Sequence, residues 1–234
     1  MDWNSDCAAV IPCFNEAARI GLVVATVRRH VGRVIVVDDG SADATADIAR
    51  TAGAEVVQLP RNSGKGAALR HGWEHARKAG FQWVLMLDGD GQHAAEDIPN
   101  FFECARRTGA ALIVGNRMGN AQTMPFVRRC ANRWMSRWIS RLTHAELPDS
   151  QCGFRLARAD LLVGLALHAN RFEIESAMLV AFLGAGQPVK FVPIRTIYDG
   201  RASKVNPVTD SWRWLRWRLA QPASLRAWST MRVP

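Results

Sequence analysis

Apolar residues in the first half of the chain fall into short continuous runs separated by polar, glycine-bearing stretches. Runs rich in valine, isoleucine and leucine at 8–12, 33–37, 55–59, 83–87 and 111–115 predict five strands. Between them the spacing becomes helical. Ile20, Val23, Val24 and Val27 recur on one face of a helix expected over 16–30. Further helices are expected over 42–52, 65–78 and 95–107, with Gly80 placed to end the one over 65–78. Unbroken apolar strands alternating with helices predict an α/β fold, a mostly parallel central sheet flanked by helices.

In sheets of that kind ligands collect outside the carboxyl ends of the strands, and the polar residues follow that rule. The first strand runs out in Pro12-Cys13-Phe14-Asn15-Glu16, the second in Asp38-Asp39-Gly40-Ser41 and the third in Arg61-Asn62-Ser63-Gly64-Lys65-Gly66. The fourth ends in Asp88-Gly89-Asp90-Gly91-Gln92-His93 and the fifth in Asn116-Arg117. Strand geometry would put Asp88 and Asp90 on one face. Carboxylates that close repel unless a proton or cation lies between them, and a divalent ion with oxygen ligands commonly holds a substrate diphosphate as well. The alternative is a polar turn, since Asp-Gly is also a turn pair. The gathering of Glu16, Asp39, Lys65 and Arg117 on the same rim favours a nucleotide-diphosphate site. Two lookalikes fail. Gly64-Lys65-Gly66 is not a P-loop, because Leu59 stands where a glycine is needed and Gly66 where Ser or Thr is needed. No G-x-G-x-x-G follows the first strand.

The second half is less regular. A helix is expected over 124–143, with Trp134 and Trp138 a turn apart and Arg128, Arg129, Arg133, Arg137 and Arg141 interleaved. Such a helix suits the interface of an anionic membrane; equally, it would pack its tryptophans on the core and leave its arginines in water. Residues 149–155 lead into a short strand, an apolar helix opens at 171–175, and 189–198 read as a broken strand pair about Pro193. The polar stretch 199–207, with Arg201, Ser203 and Lys204, reads as a mobile loop. We divide the chain into a domain over 1–207 and a basic, tryptophan-rich helical appendage over 208–234.

Composition narrows the function. Of the 234 residues 48% are hydrophobic, enough for a sizeable core, and the net charge of +9 calls for an anionic partner. Nucleic acid fits poorly, with a single tyrosine and no nucleic-acid motif. Five cysteines without CxxC spacing argue against both a disulfide framework and a zinc site, and point to a reduced, cytoplasmic compartment. The first residues lack the basic and apolar regions of a signal peptide, and no apolar run approaches the roughly 18 residues of a spanning helix.

Taken together, Val10-Ile11-Pro12-Cys13-Phe14-Asn15-Glu16, Val36-Val37-Asp38-Asp39-Gly40-Ser41, Asn62-Ser63-Gly64-Lys65-Gly66 and Asp88-Gly89-Asp90-Gly91-Gln92-His93 resemble family 2 glycosyltransferases of the GT-A, nucleotide-diphospho-sugar transferase fold. Asp149-Ser150-Gln151-Cys152-Gly153-Phe154-Arg155 is similar to a signature of the dolichyl-phosphate mannosyl- and glucosyltransferase branch. The resemblance covers roughly residues 8 to 207. It implies that Pro12, Phe14, Glu16, Val37 and Asp39 bind the base and ribose, with Lys65 and Gly89 also against the nucleotide sugar. It further implies that Asp88, Asp90 and Gln92 hold Mg²⁺ or Mn²⁺ with the diphosphate. Arg117 would lie near the phosphates, Arg201, Ser203 and Lys204 would close over the donor, and Asp149 and Arg155 would lie on the acceptor side. The implied reaction is an inverting, metal-dependent transfer of a hexose from GDP-mannose or UDP-glucose to a polyprenyl phosphate at the inner face of the cell membrane. The chain departs from many such proteins in lacking C-terminal membrane-spanning helices.

A polyprenyl phosphate is already an anionic nucleophile. A soluble or protein hydroxyl acceptor would need a carboxylate base, for which Asp149, Glu173 and Glu175 are candidates, although the last two also suit the first turn of a helix. A phosphatase of the haloacid dehalogenase type also uses Asp-x-Asp after a strand. There the motif follows the first strand, with Thr or Val where this chain has Gln92.

Overall fold

The first apolar run, β1 (Cys7–Cys13), is an interior strand of the sheet and every residue in it is buried. The computed structural model describes residues 2–119, 124–165, 167–197 and 214–217. Within them the other strands are β2 (Arg33–Asp38), β3 (Glu55–Gln58), β4 (Trp83–Met86), β5 (Leu112–Asn116), β6 (Arg155–Arg158) and β7 (Val189–Pro193). The helices are α1 (Trp3–Asp6), α2 (Ala17–Val27), α3 (Thr45–Thr51), α4 (Lys65–Lys78), α5 (Ile98–Thr108), α6 (Phe126–Thr143), α7 (Ala159–Gly164) and α8 (Ile174–Gly184). The strands form one sheet in the order β3-β2-β1-β4-β6-β5-β7.

Burial explains the apolar pattern. β1 and β4 have no polar face because both of their faces are covered. The outer strands β3 and β7 are only partly buried and carry Glu55, Gln58 and Lys190. The helix read over 65–78 is α4, and it packs on β1 and β2. It lies close enough that a side chain at Gly72 would strike Val10 and Val37.

β6 alone runs against its neighbours, antiparallel to both β4 and β5. This orientation, which the apolar pattern does not encode, decides where the site lies. Met86, the last residue of β4, pairs with Arg155, the first of β6. The segment 149–154 that enters β6 is thereby delivered to the same rim as the ends of β1, β2 and β4.

Two sequence expectations need correction. β4 ends at Met86, so Asp88 and Asp90 do not alternate along a strand. They lie in a turn, where Asp90 Oδ1 accepts the Gln92 N–H at 3.0 Å and Gly91 takes φ +71°. Over its described residues, 189–197, the region read as 189–198 is not a strand pair. After β7, Thr196 makes a single bridge to His93, and the Ile197 N–H donates to the Gln92 carbonyl at 2.9 Å.

The start of α4 is built by glycines. Gly64 takes φ +98°, and Gly66 lies so close to the chain at 169–170 that a Cβ would run into the Ala169 carbonyl oxygen. The N–H groups of Gly66 and Ala67 both donate to the Asn170 carbonyl, at 2.8 and 3.2 Å. Gly66→Ala is therefore expected to push α4 off this segment and cost roughly 1–3 kcal/mol, the usual range for overpacking. A lowered urea midpoint with an unchanged slope would register it; an unchanged midpoint would mean the segment yields freely.

Candidate active site

A cavity of about 640 Å³ opens at the rim where β1, β2, β4 and β5 end. Its first wall comes from the loops after β1 and β2, which are laced together. Asn15 N–H donates to Ser41 Oγ, Ala42 N–H to Asn15 Oδ1 and Glu16 N–H to Thr45 Oγ1, at 2.8–2.9 Å. Pro12, Phe14, Glu16 and Asp39 line this end. The Asp39 carboxylate accepts the N–H groups of Ser63 and Gly64 at 2.7 and 2.8 Å, which fixes the loop leading into α4. Gly89 passes so close to Cys13 that no side chain would fit between them.

The floor is charged. Lys65, the first residue of α4, places its Nζ 2.5 Å from Asp88 Oδ1 and 2.6 Å from Glu175 Oε1. A cation in the first turn opposes the helix dipole; two carboxylates hold it there. Burial works against the charge of Lys65, yet Asp88 and Glu175 outweigh it and hold the ammonium above the ordinary lysine range. Burial likewise works against Asp88, and Lys65 with the neighbouring His93 outweighs it, so the carboxyl sits well below the usual carboxylate range. His93 Nε2 is 3.4 Å from Asp88 Oδ2 without the alignment of a hydrogen bond, so both ring nitrogens are buried and unsatisfied among the described residues. Glu175 Oε2 is in the same condition.

The far end combines cations with apolar groups. Arg117 and Arg128 lie here with Met124, Ala131, Met135 and Trp214. Arg117 is held by Asp149 in a two-pronged pair, Nε to Oδ2 at 2.8 Å and one Nη to Oδ1 at 2.9 Å. Asn132 donates to the same carboxylate at 2.8 Å. Burial opposes the charge on Asp149, and the Arg117 guanidinium overcomes it and lowers the carboxyl pKa. Arg155, wholly buried beside these groups, donates to the carbonyls of Cys152, Ser150 and Glu175 at 2.7–2.9 Å.

Among the described residues no group of three or more His, Cys, Asp and Glu side chains is placed to hold a metal by itself. The donor set nevertheless fits a hard divalent ion shared with a ligand. Asp88 and Asp90 offer carboxylate oxygens on one turn. Beside Asp88 the chain keeps a space that a Cβ at Gly153 would enter, 2.7 Å from Asp88 Oδ2. An ion of the magnesium type needs only one or two carboxylates when phosphate and water complete its shell.

Of the residues singled out in the sequence, Pro12, Phe14, Glu16, Asp39, Lys65, Asp88, Gly89, Asp90, Gln92 and Arg117 all line the cavity. Val37 does not; it is fully buried in β2 against α4. Asp149 does not line the cavity; it is fully buried, and its carboxylate accepts from Arg117 and Asn132. Glu175 lies in the first turn of α8 as expected, but its charge is spent on Lys65 and not on the helix dipole alone. Arg201, Ser203 and Lys204 lie outside the described residues. His93, Arg128, Gln151 and Phe172 were missed. Arg128 carried a signal as one of the arginines in the basic helix, and His93 and Gln151 stood inside quoted motifs without being assigned a role; Phe172 carried none.

The tryptophans of α6 turn out to pack. Trp134 and Trp138 meet Trp214 edge to face at 5.3 and 5.4 Å. Trp214 is 2% exposed and donates its indole N–H to Ser176 at 2.8 Å.

The model of glycosyl transferase family 2 matches residues 8–163, and the chain belongs to that family. It is a glycosyltransferase, which removes the phosphatase reading. It is similar to the UDP-N-acetylglucosamine–dolichyl-phosphate N-acetylglucosaminyltransferase of Methanococcus voltae, 29% identical over 81% of this chain and 84% of that one. It is also similar to the undecaprenyl-phosphate mannosyltransferase of Micrococcus luteus, 29% identical over 78% and 82%. Among solved structures, glucosyl-3-phosphoglycerate synthase from Mycobacterium tuberculosis in complex with Mn²⁺, UDP and phosphoglyceric acid superposes with a TM-score of 0.70 at 20% identity, covering 98% of this chain and 80% of that one. The fold is that of the GT-A glycosyltransferases.

Proposed function

We propose that the protein transfers a hexose from a nucleoside-diphosphate sugar to a polyprenyl phosphate, with inversion and with the help of Mg²⁺ or Mn²⁺. The observation that carries this reading is the far end of the cavity, where Arg117 and Arg128 stand among Met124, Met135 and Trp214. Cations next to apolar groups match an acceptor whose phosphate is joined to a hydrocarbon. The polyprenyl-phosphate transferases among the relatives support the same acceptor class.

The charges support the need for a metal. Lys65, Arg117 and Arg155 are matched by Asp88, Asp149 and Glu175, and the buried Asp39 adds a further negative charge, so the buried part of the site has no positive charge to spare. A diphosphate entering it brings negative charge that these cations cannot offset alone. A divalent ion on Asp88 and Asp90 would supply Lewis-acid stabilisation of the charge developing on the departing diphosphate. Arg117, held in a fixed orientation by Asp149, would bring its positive charge to the acceptor phosphate. An oxygen of that phosphate attacks the anomeric carbon from the face opposite the diphosphate. The C–O bond to the diphosphate breaks, and the nucleoside diphosphate leaves with the electron pair. No proton has to be removed from such a nucleophile. A hydroxyl acceptor would require a base, and two of the three candidate carboxylates, Asp149 and Glu175, are committed to ion pairs.

Contact with an anionic membrane is supported by the outer face of α6. Phe126, Val127 and Trp134 are 68%, 62% and 50% exposed there, and Arg133, Arg137 and Arg141 are exposed beside them. No helix among the described residues is long and apolar enough to cross a membrane.

The test offers GDP- and UDP-hexoses with Mg²⁺ or Mn²⁺ to the protein on anionic phospholipid vesicles carrying either undecaprenyl phosphate or undecaprenol. Glycosylated lipid is expected only with the phosphate, and the protein should sediment with the vesicles at physiological salt. Equal transfer to the free alcohol would sink the reading.

A further inference from the structure

We propose that Glu175 is a second seat for the Lys65 ammonium, which lets Asp88 give its charge to the donor-bound cation without leaving a buried lysine unpaired. The inference rests on the cation-assisted reading above and assigns work to a residue outside the Asp-x-Asp turn.

Lys65 Nζ is shared almost evenly, 2.5 Å from Asp88 and 2.6 Å from Glu175. An ammonium and a divalent ion on one small carboxylate repel each other strongly in a site of low dielectric. Were Asp88 its sole partner, Lys65 would have two poor choices: it would block the cation, or it would be stranded as an uncompensated buried charge, which is severely destabilising. Glu175 removes the dilemma. Its second oxygen, Oε2, is buried and has no hydrogen-bond partner among the described residues, so the carboxylate has unused capacity to accept from Lys65.

The seat is rigid. Glu175 lies in the first turn of α8, and the Arg155 guanidinium donates to its backbone carbonyl at 2.7 Å while also gripping Cys152 and Ser150. The moving part is the lysine, whose flexible stem ends beside the absent side chain of Gly153. A Cβ there would lie 2.9 Å from Lys65 Nζ and 2.7 Å from Asp88 Oδ2, filling the space in which the exchange takes place. The Phe172 ring, 5.6 Å from Nζ, gives the ammonium a further favourable surface. Glu175 is thus a positioning residue, acting on Asp88 through Lys65.

The experiment is a Mn²⁺ titration followed by the loss of the free-ion electron paramagnetic resonance signal, with UDP or GDP present. It compares wild type, Glu175→Gln, Glu175→Asp and the double variant Lys65→Met/Glu175→Gln. Glu175→Gln should weaken Mn²⁺ uptake by about tenfold or more, as the loss of an outer-shell partner does. Its nucleotide binding in the presence of a chelator should stay unchanged. Glu175→Asp, which keeps the charge, should retain most of the uptake. Removing Lys65 as well should restore uptake, because nothing then pins Asp88, an outcome that a purely structural role for Glu175 does not give. Wild-type uptake in Glu175→Gln, or a loss that persists in the double variant, overturns the proposal. Failure of the wild type to take up Mn²⁺ with either nucleotide overturns the cation-assisted reading itself, and the proposal with it.

Discussion

Asp88→Asn is expected to cut transfer on the order of 10²- to 10³-fold, the scale seen when one preorganised electrostatic group is removed from an active site, while leaving the fold intact. Asparagine matches aspartate in shape, and Lys65 keeps Glu175 as its partner, so no buried charge is stranded. What disappears is the carboxylate that stands in the turn after β4 between Lys65 and His93. The loss should fall on kcat and on the metal requirement. Binding of the bare nucleotide should survive, since the Pro12, Phe14 and Asp39 end of the cavity lies on other loops. Activity near that of the wild type, at saturating donor and Mg²⁺, would show that the turn at 88–92 is structural.

That turn also shows how far the sequence could be read. The residues at the strand ends were legible because an α/β sheet gathers whatever follows its parallel strands onto one edge, so Glu16, Asp39, Asp88 and Arg117 had to converge. The helix over 65–78 was legible to the residue because Gly64 breaks the chain before it and Gly80 after it. The geometry of Asp88 and Asp90 was not legible, because a strand's end depends on how far its neighbours extend. β4 pairs with β6 only as far as Met86.

Nor did the sequence disclose the ion-pair triangle of Lys65, Asp88 and Glu175. Its three corners come from α4, from the turn after β4 and from α8. They meet only because the segment at 169–170 is clamped under α4 through Gly66. Glu175 read alone resembled any acid in a first helical turn. Asp149 left a similar choice open: a carboxylate in a signature segment suits a base or an anchor until its partners are known.

Those partners make Asp149→Ala the most disruptive single change expected for stability, at about 3–5 kcal/mol, the cost of breaking a buried ion pair by removing one member. The substitution strips Arg117 of both prongs of its pair and of the bond to its own backbone N–H at 3.1 Å. It also frees the Asn132 amide in the middle of α6. Asp149→Asn retains the shape and some of the hydrogen bonds but not the charge, and should fall between the two. Transfer should collapse in both variants, because a guanidinium released from its fork no longer meets the acceptor phosphate in a fixed orientation. Acid should reproduce the stability loss in the wild type. The carboxyl is held below its unfolded value by Arg117, so its contribution is complete above about pH 4, the ordinary aspartate range. It drains away as the pH falls further and the folded-state carboxyl takes up a proton. Urea midpoints of wild type and Asp149→Asn, compared from pH 7 down to pH 3, should therefore converge in acid. A gap that stays constant or widens would mean that Asp149 contributes through its shape and not its charge, and that Arg117 is held in place by something else.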